Sequence, residues 1–228
     1  MNFYFDPRVK EKFPGIKVCI GSVFGLHPST ENMGKLIESV FTKVREKYSL
    51  EDLKDVNIFR AYRDFFWKIG VDPTKVRPAG EALIRRVLRG SSMPRINPIV
   101  DAYNLSSIET GIALAAFDES LIKGDLTMRF STPGEMFTGI GMDKPMMLKG
   151  NEVVLSDSES ESDDEKLVAI YPYRDADSTK VTDNTKSIIL ISCGVPGIDD
   201  ELLDKAAITA IDYITRFCGG TSKYELVG

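Results

Sequence analysis

The sequence has 228 residues, of which 43% are hydrophobic and 28% are charged, and its formal net charge at pH 7 is −5. These values are ordinary for a globular chain, and the length suits one domain, which we predict over 1–228 with a strand–helix extension at about 1–75. No apolar run approaches the roughly 18–20 residues of a membrane span, and the charged, proline-containing N-terminus is unlike a signal peptide. We therefore expect a cytoplasmic protein with no membrane partner.

Few residues in the sequence are suited to binding a metal ion. The cysteines Cys19, Cys193 and Cys218 are odd in number and far apart, which argues against a disulfide framework or a paired-cysteine metal site. The single histidine, His27, does not make a histidine-rich centre, and a lone loop histidine is more typical of the surface than of a general base. We expect buried free thiols, no metal and no cofactor.

The N-terminal third predicts two helices after a first strand. The first helix spans about 29–48 and is capped by Ser29 or Thr30, and the second begins at Ser49 and ends before Gly70. The aromatic residues of the second helix are Phe59, Tyr62, Phe65, Phe66 and Trp67. They could stack on nucleic-acid bases, but their helical spacing favours a place in the core.

The segment at 77–90 predicts a helix with one apolar face and one basic face. Pro78 suits its first position, and Gly90 suits a left-handed C-terminal cap. At about 100° per residue, the apolar arc consists of Leu83, Ile84, Val87 and Leu88, and the opposite arc of Arg85, Arg86 and Arg89.

The next helix carries a polar stripe on an otherwise apolar surface. Asn97 precedes Pro98 as a candidate N-cap, and Asn97, Asp101 and Asn104 recur at i, i+4 and i+7. Each buried polar group that lacks a partner costs about 1–3 kcal/mol, so this stripe needs hydrogen bonds. Two interpretations stay open, an internal network that orients the helix and a ligand site.

The remaining pattern is mainly β, with one helix at the end. Strands are predicted at 16–26, 126–130, 153–155, 167–171 and 187–192, and a final helix at about 199–217. The sequence therefore predicts a mixed α+β protein, with helices layered on a mixed sheet.

The run S-D-S-E-S-E-S-D-D-E at 156–165 contains six acids and four serines and no apolar residue. A segment of this composition buries no apolar surface, so we predict a mobile loop between two strands. A phosphorylated acidic switch is the alternative.

Positive charge is concentrated in one part of this acidic chain. Residues 60–95 contain nine basic and three acidic residues, a net +6, which leaves −11 for the rest. An acidic protein is not a general nucleic-acid binder, and we expect no DNA partner, but a local basic face can hold phosphates. The candidates are Arg77, Arg85, Arg86, Arg89 and Arg95. Solvated or acid-paired arginines are the alternative.

Several segments together carry a family resemblance. They are R-P-A-G-E-A-L-I-R-R at 77–86, I-N-P-I-V-D-A-Y-N at 96–104, G-I-A-L-A-A-F-D at 111–118, G-D-L-T-M-R-F-S-T-P-G-E at 124–135, and Y-R-D followed by T-K-V-T-D-N-T up to 185. In this order they resemble a stand-alone form of the B3/B4 domain, the editing domain of the phenylalanyl-tRNA synthetase beta chain. The resemblance implies a layered α/β architecture and a cleft that binds the aminoacyl end of tRNA.

The resemblance also implies roles for particular positions. Asn104 matches the asparagine that contacts the bound amino acid, whereas Ala115 stands at the position of the family histidine. Asp175 and Ala176 match the glycine pair of the pocket floor, and the glutamate that recognises tyrosine matches near Ile191. These departures argue against tyrosine-specific editing. The other substrate-binding candidates are Asn97, Asp101, Glu135 and Arg174.

Two functional hypotheses follow. The first is a hydrolase that removes the amino acid from a mischarged tRNA, in which Asn97 and Asn104 hold the substrate and Asp175 acts as the base. The second is a non-catalytic module that binds tRNA, an amino acid or a protein. The expected partner of the first is the tRNA acceptor end, or a small amino-acid-like ligand.

Overall fold

A computed structural model describes residues 1–27, 32–158 and 166–228. The strands are β1 (Phe3–Phe5), β2 (Val18–Phe24), β3 (Leu114–Asp118), β4 (Leu126–Phe130), β5 (Met136–Phe137), β6 (Met146–Met147), β7 (Val153–Asp157), β8 (Lys166–Ile170), β9 (Arg174–Asp175), β10 (Ser187–Cys193) and β11 (Thr221–Val227). The helices are α1 (Pro7–Lys12), α2 (Gly34–Lys47), α3 (Asn57–Lys68), α4 (Ala79–Leu88), α5 (Pro98–Thr110) and α6 (Asp200–Cys218).

Two sheets form the β part of the described chain. The first has the strand order β1-β4-β7-β8-β9, in which β1 is parallel to β4 and the other pairs are antiparallel. The second has the order β11-β2-β10-β3 and is antiparallel throughout. The short strands β5 and β6 pair as a separate ladder. The predicted mixed α+β class is confirmed.

Helix α5 lies at the centre of the helical layer and is buried around most of its circumference. It packs against α6, where the Ser106 hydroxyl donates to the Ala206 carbonyl at 3.0 Å. It also packs against α4, where a Cβ on Gly80 would lie 2.4 Å from the Gly111 carbonyl oxygen. Only glycine permits so close an approach, and this fixes α4 beside the end of α5.

The sequence located several elements well. The strands predicted at 16–26, 126–130 and 187–192 correspond to β2, β4 and β10, and the final helix corresponds to α6. The aromatic residues of α3 are buried as predicted, except Trp67, which is 57% exposed. His27 lies at the surface, and all three cysteines are free and buried.

Two predicted helices have different boundaries in the structure. The helix expected from Ser29 begins at Gly34, and the proposed caps Ser29 and Thr30 lie outside the described residues. The helix expected from Ser49 is divided into a 3-10 turn at Asp52–Asp55 and α3. Extended backbone at Val56 separates the two, so the continuous helix was a wrong prediction.

The prediction of a loop at 156–165 is also wrong at its N-terminal end. Ser156 and Asp157 are each 1% exposed and belong to β7, and residues 159–165 lie outside the described part of the chain. The Asp157 carboxylate accepts from the backbone N–H groups of Lys123 at 2.8 Å and Gly124 at 2.7 Å. These hydrogen bonds replace water, which is why a charged residue can be buried at this strand end.

Within the described ranges, no helix combines the length and the hydrophobicity that crossing a membrane requires.

Candidate functional site

The polar stripe of α5 begins with two residues that hydrogen-bond within the protein. The Asn97 side-chain oxygen accepts from the Val100 backbone N–H at 3.0 Å, which confirms the predicted N-cap. The Asp101 carboxylate accepts from the Ile96 N–H at 2.9 Å and lies 2.7 Å from Nε of Arg95. Both acceptors are buried, so their first role in the structure is to hold the start of α5.

The third residue of the stripe differs from the first two. Asn104 is half-buried, and its side-chain amide has no hydrogen bond to any residue in 1–27, 32–158 or 166–228. Its four donor and acceptor positions are therefore open to water or a ligand. The stripe divides into a structural end at Asn97 and Asp101 and an uncommitted end at Asn104.

A small pocket lies where the two sheets meet. Its volume is about 90 Å³, and its lining includes Ala113, Ala115, Tyr171, Arg174, Asp175 and Cys193. β8 and β9 of the first sheet contribute one side, and β3 and β10 of the second contribute the other. β3 contributes Leu114 and Ala115 to the lining, and Ala113 directly precedes that strand.

Asp175 is the acidic residue of this pocket. Burial raises the pKa of its carboxyl to about 7, and within the described chain no side chain or backbone N–H forms a hydrogen bond or ion pair with it. A carboxyl in this environment is partly protonated and partly ionised at neutral pH, so it can both accept and donate a proton.

Two neighbouring groups respond to the Asp175 charge. Burial, together with the charges of Asp175 and Asp101, raises the pKa of the Tyr103 phenol. Burial and the Asp175 charge likewise raise the pKa of the Cys193 thiol well above its ordinary value. The thiol is therefore protonated and is a poor nucleophile. Asp175 thus shares the pocket with Cys193 of β10, and its charge also reaches Tyr103 of α5.

Two tyrosines fix the wall of the pocket that β3 and β10 form. The Tyr62 hydroxyl donates to the Cys193 carbonyl at 2.5 Å and accepts from the Ala113 N–H at 3.1 Å. The Tyr171 hydroxyl donates to the Gly194 carbonyl at 2.7 Å. Because both tyrosines are fully buried, these hydrogen bonds give the pocket a rigid backbone frame.

Arg174 borders the same pocket beside Asp175. Its guanidinium lies over the Tyr173 ring, 5.2 Å from the centroid, a geometry that favours cation–π attraction. A Cβ on Gly139 would lie 2.3 Å from Cδ of Arg174, so a larger residue at position 139 would displace the arginine side chain. Tyr173 and Gly139 thus both contact Arg174 beside the pocket.

Glu135 lies in a different place from the other substrate-binding candidates. It lines an open groove of about 440 Å³ and accepts from Arg129 at 2.7 and 3.1 Å. Burial alone would raise the pKa of its carboxyl, but the bonds from Arg129 and the Thr132 N–H outweigh burial, and the pKa is lowered. The structure therefore assigns Glu135 an ion pair and does not bring it into the Asp175 pocket.

The five candidate phosphate-binding arginines separate into two groups. Arg85 donates to Glu81, which is fully buried, and its side chain is only 15% exposed. Arg95 pairs with Asp101 but keeps 60% of its side chain exposed. The exposed residues of the set are Arg77, Arg86, Arg89 and Arg95.

Sequence reasoning missed the residues that build the pocket walls. Tyr62 was assigned only to the core, Cys193 only to the buried thiols, and Tyr103 was not singled out. One sequence signal was available, because the small-residue run I-A-L-A-A at 112–116 leaves space beside a strand. Among the described residues, no group of three or more histidine, cysteine or acidic side chains could hold a metal ion.

The chain is similar to known proteins both in sequence and in fold. A family model described as the B3/4 domain matches residues 61–219. The chain is 30% identical over 145 residues to the phenylalanine–tRNA ligase beta subunit of Protochlamydia amoebophila, and 33% identical over 115 residues to that of Symbiobacterium thermophilum. The first alignment covers 63% of this chain and 17% of the relative, and the second covers 50% and 12%.

A solved structure has a similar fold. It is an N-terminal fragment of the phenylalanyl-tRNA synthetase beta-subunit from Pyrococcus horikoshii, with a TM-score of 0.50 and 17% sequence identity. The superposition covers 97% of this chain and 50% of the fragment. This chain therefore spans only part of the length of the proteins that it resembles.

Proposed function

Because the chain belongs to the B3/4 domain family, we propose that it binds the aminoacyl end of a tRNA and hydrolyses the ester of a mischarged amino acid. The observation that carries this proposal is the Asp175 carboxyl, which borders a pocket without a protein partner among the described residues and has a pKa of about 7. The names of the relatives, which are beta subunits of a tRNA ligase, support tRNA as the substrate class in this proposal.

The proposed reaction is a proton-assisted ester hydrolysis. Ionised Asp175 accepts a proton from the water that adds to the ester carbonyl, and the new C–O bond gives a tetrahedral intermediate. When that intermediate collapses, the ribose oxygen leaves and takes the proton back from Asp175. A group with a pKa near the working pH suits both steps, because it loses and gains a proton readily.

The other candidates have positioning roles in this proposal. Asn104 does not line the Asp175 pocket, and it offers an amide with open donor and acceptor positions to the part of the aminoacyl group that lies outside it. Arg174 carries a fixed positive charge beside the pocket, where the negative backbone of the terminal nucleotide would lie. Asn97 and Asp101 hold the N-terminus of α5 and so place Asn104 indirectly.

The alternative is a binding module that performs no chemistry. The observation that favours it is Ala115, an alanine in the pocket wall at the position where the resemblance places a histidine. With this residue, Asp175 is the only proton-transferring group that the proposal uses. A binding module would retain the aminoacyl end and release the tRNA still charged.

A panel of aminoacyl-tRNAs, each carrying a radiolabelled amino acid, separates the two functions. We expect the purified chain to release free amino acid from one or a few members, and Asp175→Asn to abolish release while tRNA is still bound. Asp143→Asn, at an exposed turn residue, is the matched control and should keep full activity. Binding without release by the unmodified chain would support the module, and release unaffected by Asp175→Asn would contradict the role of Asp175.

A further inference from the structure

Strand β11 forms one edge of the four-stranded sheet. It pairs with β2 along all of its length, from Thr221 opposite Phe24 to Val227 opposite Val18. Its other side has no backbone hydrogen-bond partner within 1–27, 32–158 and 166–228. A strand edge of this kind presents a row of free N–H and C=O groups that can pair with another strand.

The side chains of β11 are more exposed to solvent than those of the other long strands. Six of its seven residues are exposed, including Tyr224 at 51% and Leu226 at 39%. Proteins commonly protect such edges with proline, a bulge, a very short strand or charged side chains, and of these β11 has only its charges, Lys223 and Glu225. The sequence T-S-K-Y-E-L-V has no proline and pairs regularly with β2 over seven residues.

The sequence of β11 is complementary to itself. When two copies pair antiparallel about a twofold axis through Tyr224, Lys223 of each copy lies opposite Glu225 of the other. Opposite charges directly across an antiparallel pair contribute roughly 0.2–1 kcal/mol each, and like charges destabilise it. In such a twofold interface every favourable contact occurs twice.

Other registers lose this match. A twofold axis through Lys223 places two ammonium groups opposite each other, and an axis through Glu225 places two carboxylates opposite each other. Charge therefore selects one register out of those that the free edge allows.

Neither charged residue has an ion-pair partner in its own copy. Lys223 lies over the Phe24 ring, with its Nζ 5.7 Å from the centroid, and forms no salt bridge within the described residues. Glu225 likewise forms none within these ranges. Both charges are thus free to pair across an interface.

The opposite side of β11 adds aromatic and apolar surface. Tyr224 lies opposite Gly21, whose Cβ position would meet Ile211 of α6, so Tyr224 is on the α6 side of the sheet. Alternation along the strand places Leu226 on the same side. In the proposed register the two Tyr224 rings face each other across the axis, flanked by Leu226.

We propose that β11 binds β11 of a second copy of this chain, antiparallel and centred on Tyr224, and joins two four-stranded sheets into one of eight strands. The occupant is a second copy because the edge itself supplies both members of the charge pair. An interface built on one strand pair is small, so we expect the dimer to dissociate on dilution.

Charge reversal tests the register directly. The unmodified chain should have a mass of about twice 25.3 kDa by sedimentation equilibrium at about 100 μM, a concentration at which even a weak dimer is populated. Lys223→Glu and Glu225→Lys should each be monomeric, because each places like charges opposite one another in both halves. The double variant K223E/E225K should dimerise again. Lys144→Glu, at an exposed residue outside β11, is the matched control and should stay dimeric.

Mixing the two single variants gives the sharpest result. Lys223→Glu contributes two acids and Glu225→Lys two bases, so the mixture should form a heterodimer although each variant alone is monomeric. A monomeric unmodified chain at this concentration would overturn the proposal. So would single variants that remain dimeric, or a mixture that stays monomeric.

Discussion

Arg85 donates from Nε to Oε1 of Glu81, one turn earlier on α4, at a distance of 2.7 Å. Arg63 of α3 binds the same carboxylate from its Nε and Nη2 atoms at 2.7 and 2.6 Å. Glu81 is fully buried, so two guanidiniums neutralise a charge that has no access to water. An arginine that the sequence suggested for phosphate binding is therefore part of a buried ion-pair cluster, in which Arg63 and Glu81 link α3 to α4.

The first prediction concerns this buried carboxylate. Glu81→Gln removes the negative charge between two arginines, and we expect it to destabilise the fold by about 3–5 kcal/mol. Burial would raise the pKa of Glu81, but the bonds from Arg63 and Arg85 outweigh it and lower the pKa. The carboxylate thus stabilises the fold above about pH 4–5, and this contribution is lost as the pH falls through the lowered folded pKa.

Urea denaturation at pH 7 and at pH 3.5 measures both expectations. The difference between Glu81→Gln and the unmodified chain should be large at pH 7 and smaller at the acidic pH. Glu46→Gln, at an exposed residue of α2, should change the unfolding free energy by less than about 0.5 kcal/mol. Equal behaviour of the two variants would mean that the Glu81 ion pairs contribute nothing to stability.

The second prediction concerns the exposed arginines. If Arg77 and Arg89 contact tRNA phosphates, Arg77→Gln combined with Arg89→Gln should make the negative slope of log K against log salt concentration shallower by about 1.4–1.8. Lys35→Gln combined with Lys144→Gln removes the same charge at other exposed positions and should leave the slope nearly unchanged. Filter binding of tRNA over a salt series gives both slopes. Identical slopes for the two double variants would show that the basic segment has no special part in binding.

The helices and strands that the sequence predicted well have a clear apolar pattern. α6 shows the helical period because it buries one face, and β10 is a continuous apolar run that is buried on both sides. β11 gave no such signal, since it is exposed along nearly its whole length. β3 was missed because its run of small residues lacks the β-branched content by which a strand is recognised.

The candidate site could be predicted only in part, for a similar reason. Asn97 was identified as a cap from local spacing, which requires no knowledge of the tertiary fold. The pocket around Asp175 combines strands that are distant in sequence, and its pKa depends on burial that only packing creates. Glu81 in turn appeared in the sequence as one acid among many basic residues, and nothing local showed that it is fully buried.

The third prediction tests the strand end that was expected to be a loop. Asp157→Ala leaves the N–H groups of Lys123 and Gly124 without their acceptor, and we expect a loss of about 2–3 kcal/mol. Thermal unfolding should show a melting temperature several degrees lower, at about 2–4 °C per kcal/mol for a chain of this size. Asp143→Ala, at an exposed turn, is the control. A melting temperature equal to that of the control would contradict the buried position of Asp157.

The fourth prediction follows from the raised pKa of Asp175. The folded pKa of about 7 lies above the unfolded value of about 3.9, so between these pH values the folded state binds more protons than the unfolded state. The unfolding free energy should therefore fall as the pH rises from about 4 to 7. Asp175→Asn has no carboxyl to ionise, so its unfolding free energy does not fall in this way. Above pH 7 it should be more stable than the unmodified chain, by on the order of 2–4 kcal/mol.

Urea denaturation over a pH series tests the direction in which the unfolding free energy changes with pH. The stability gained by Asp175→Asn should grow from pH 4 to pH 7 and then level off. This measurement does not depend on any substrate. A gain that is constant with pH, or a loss at pH 8, would show that the Asp175 carboxyl does not have a raised pKa in the folded protein.

The last prediction separates the two ends of the α5 stripe. Asn97→Ala removes the helix cap and should cost about 0.5–2 kcal/mol of stability, measured by urea denaturation. Asn104→Ala removes an amide that has no partner among the described residues, so it should cost less than Asn97→Ala does. On the aminoacyl-tRNA found in the release panel the order should reverse, because only Asn104 is proposed to touch the aminoacyl group. Asn104→Ala should raise KM or abolish release. Asn97→Ala should keep the KM and the release rate of the unmodified chain, at a temperature where the variant is folded. If Asn104→Ala instead destabilises the protein as much as Asn97→Ala and leaves release unchanged, the whole stripe is structural and the aminoacyl group binds elsewhere.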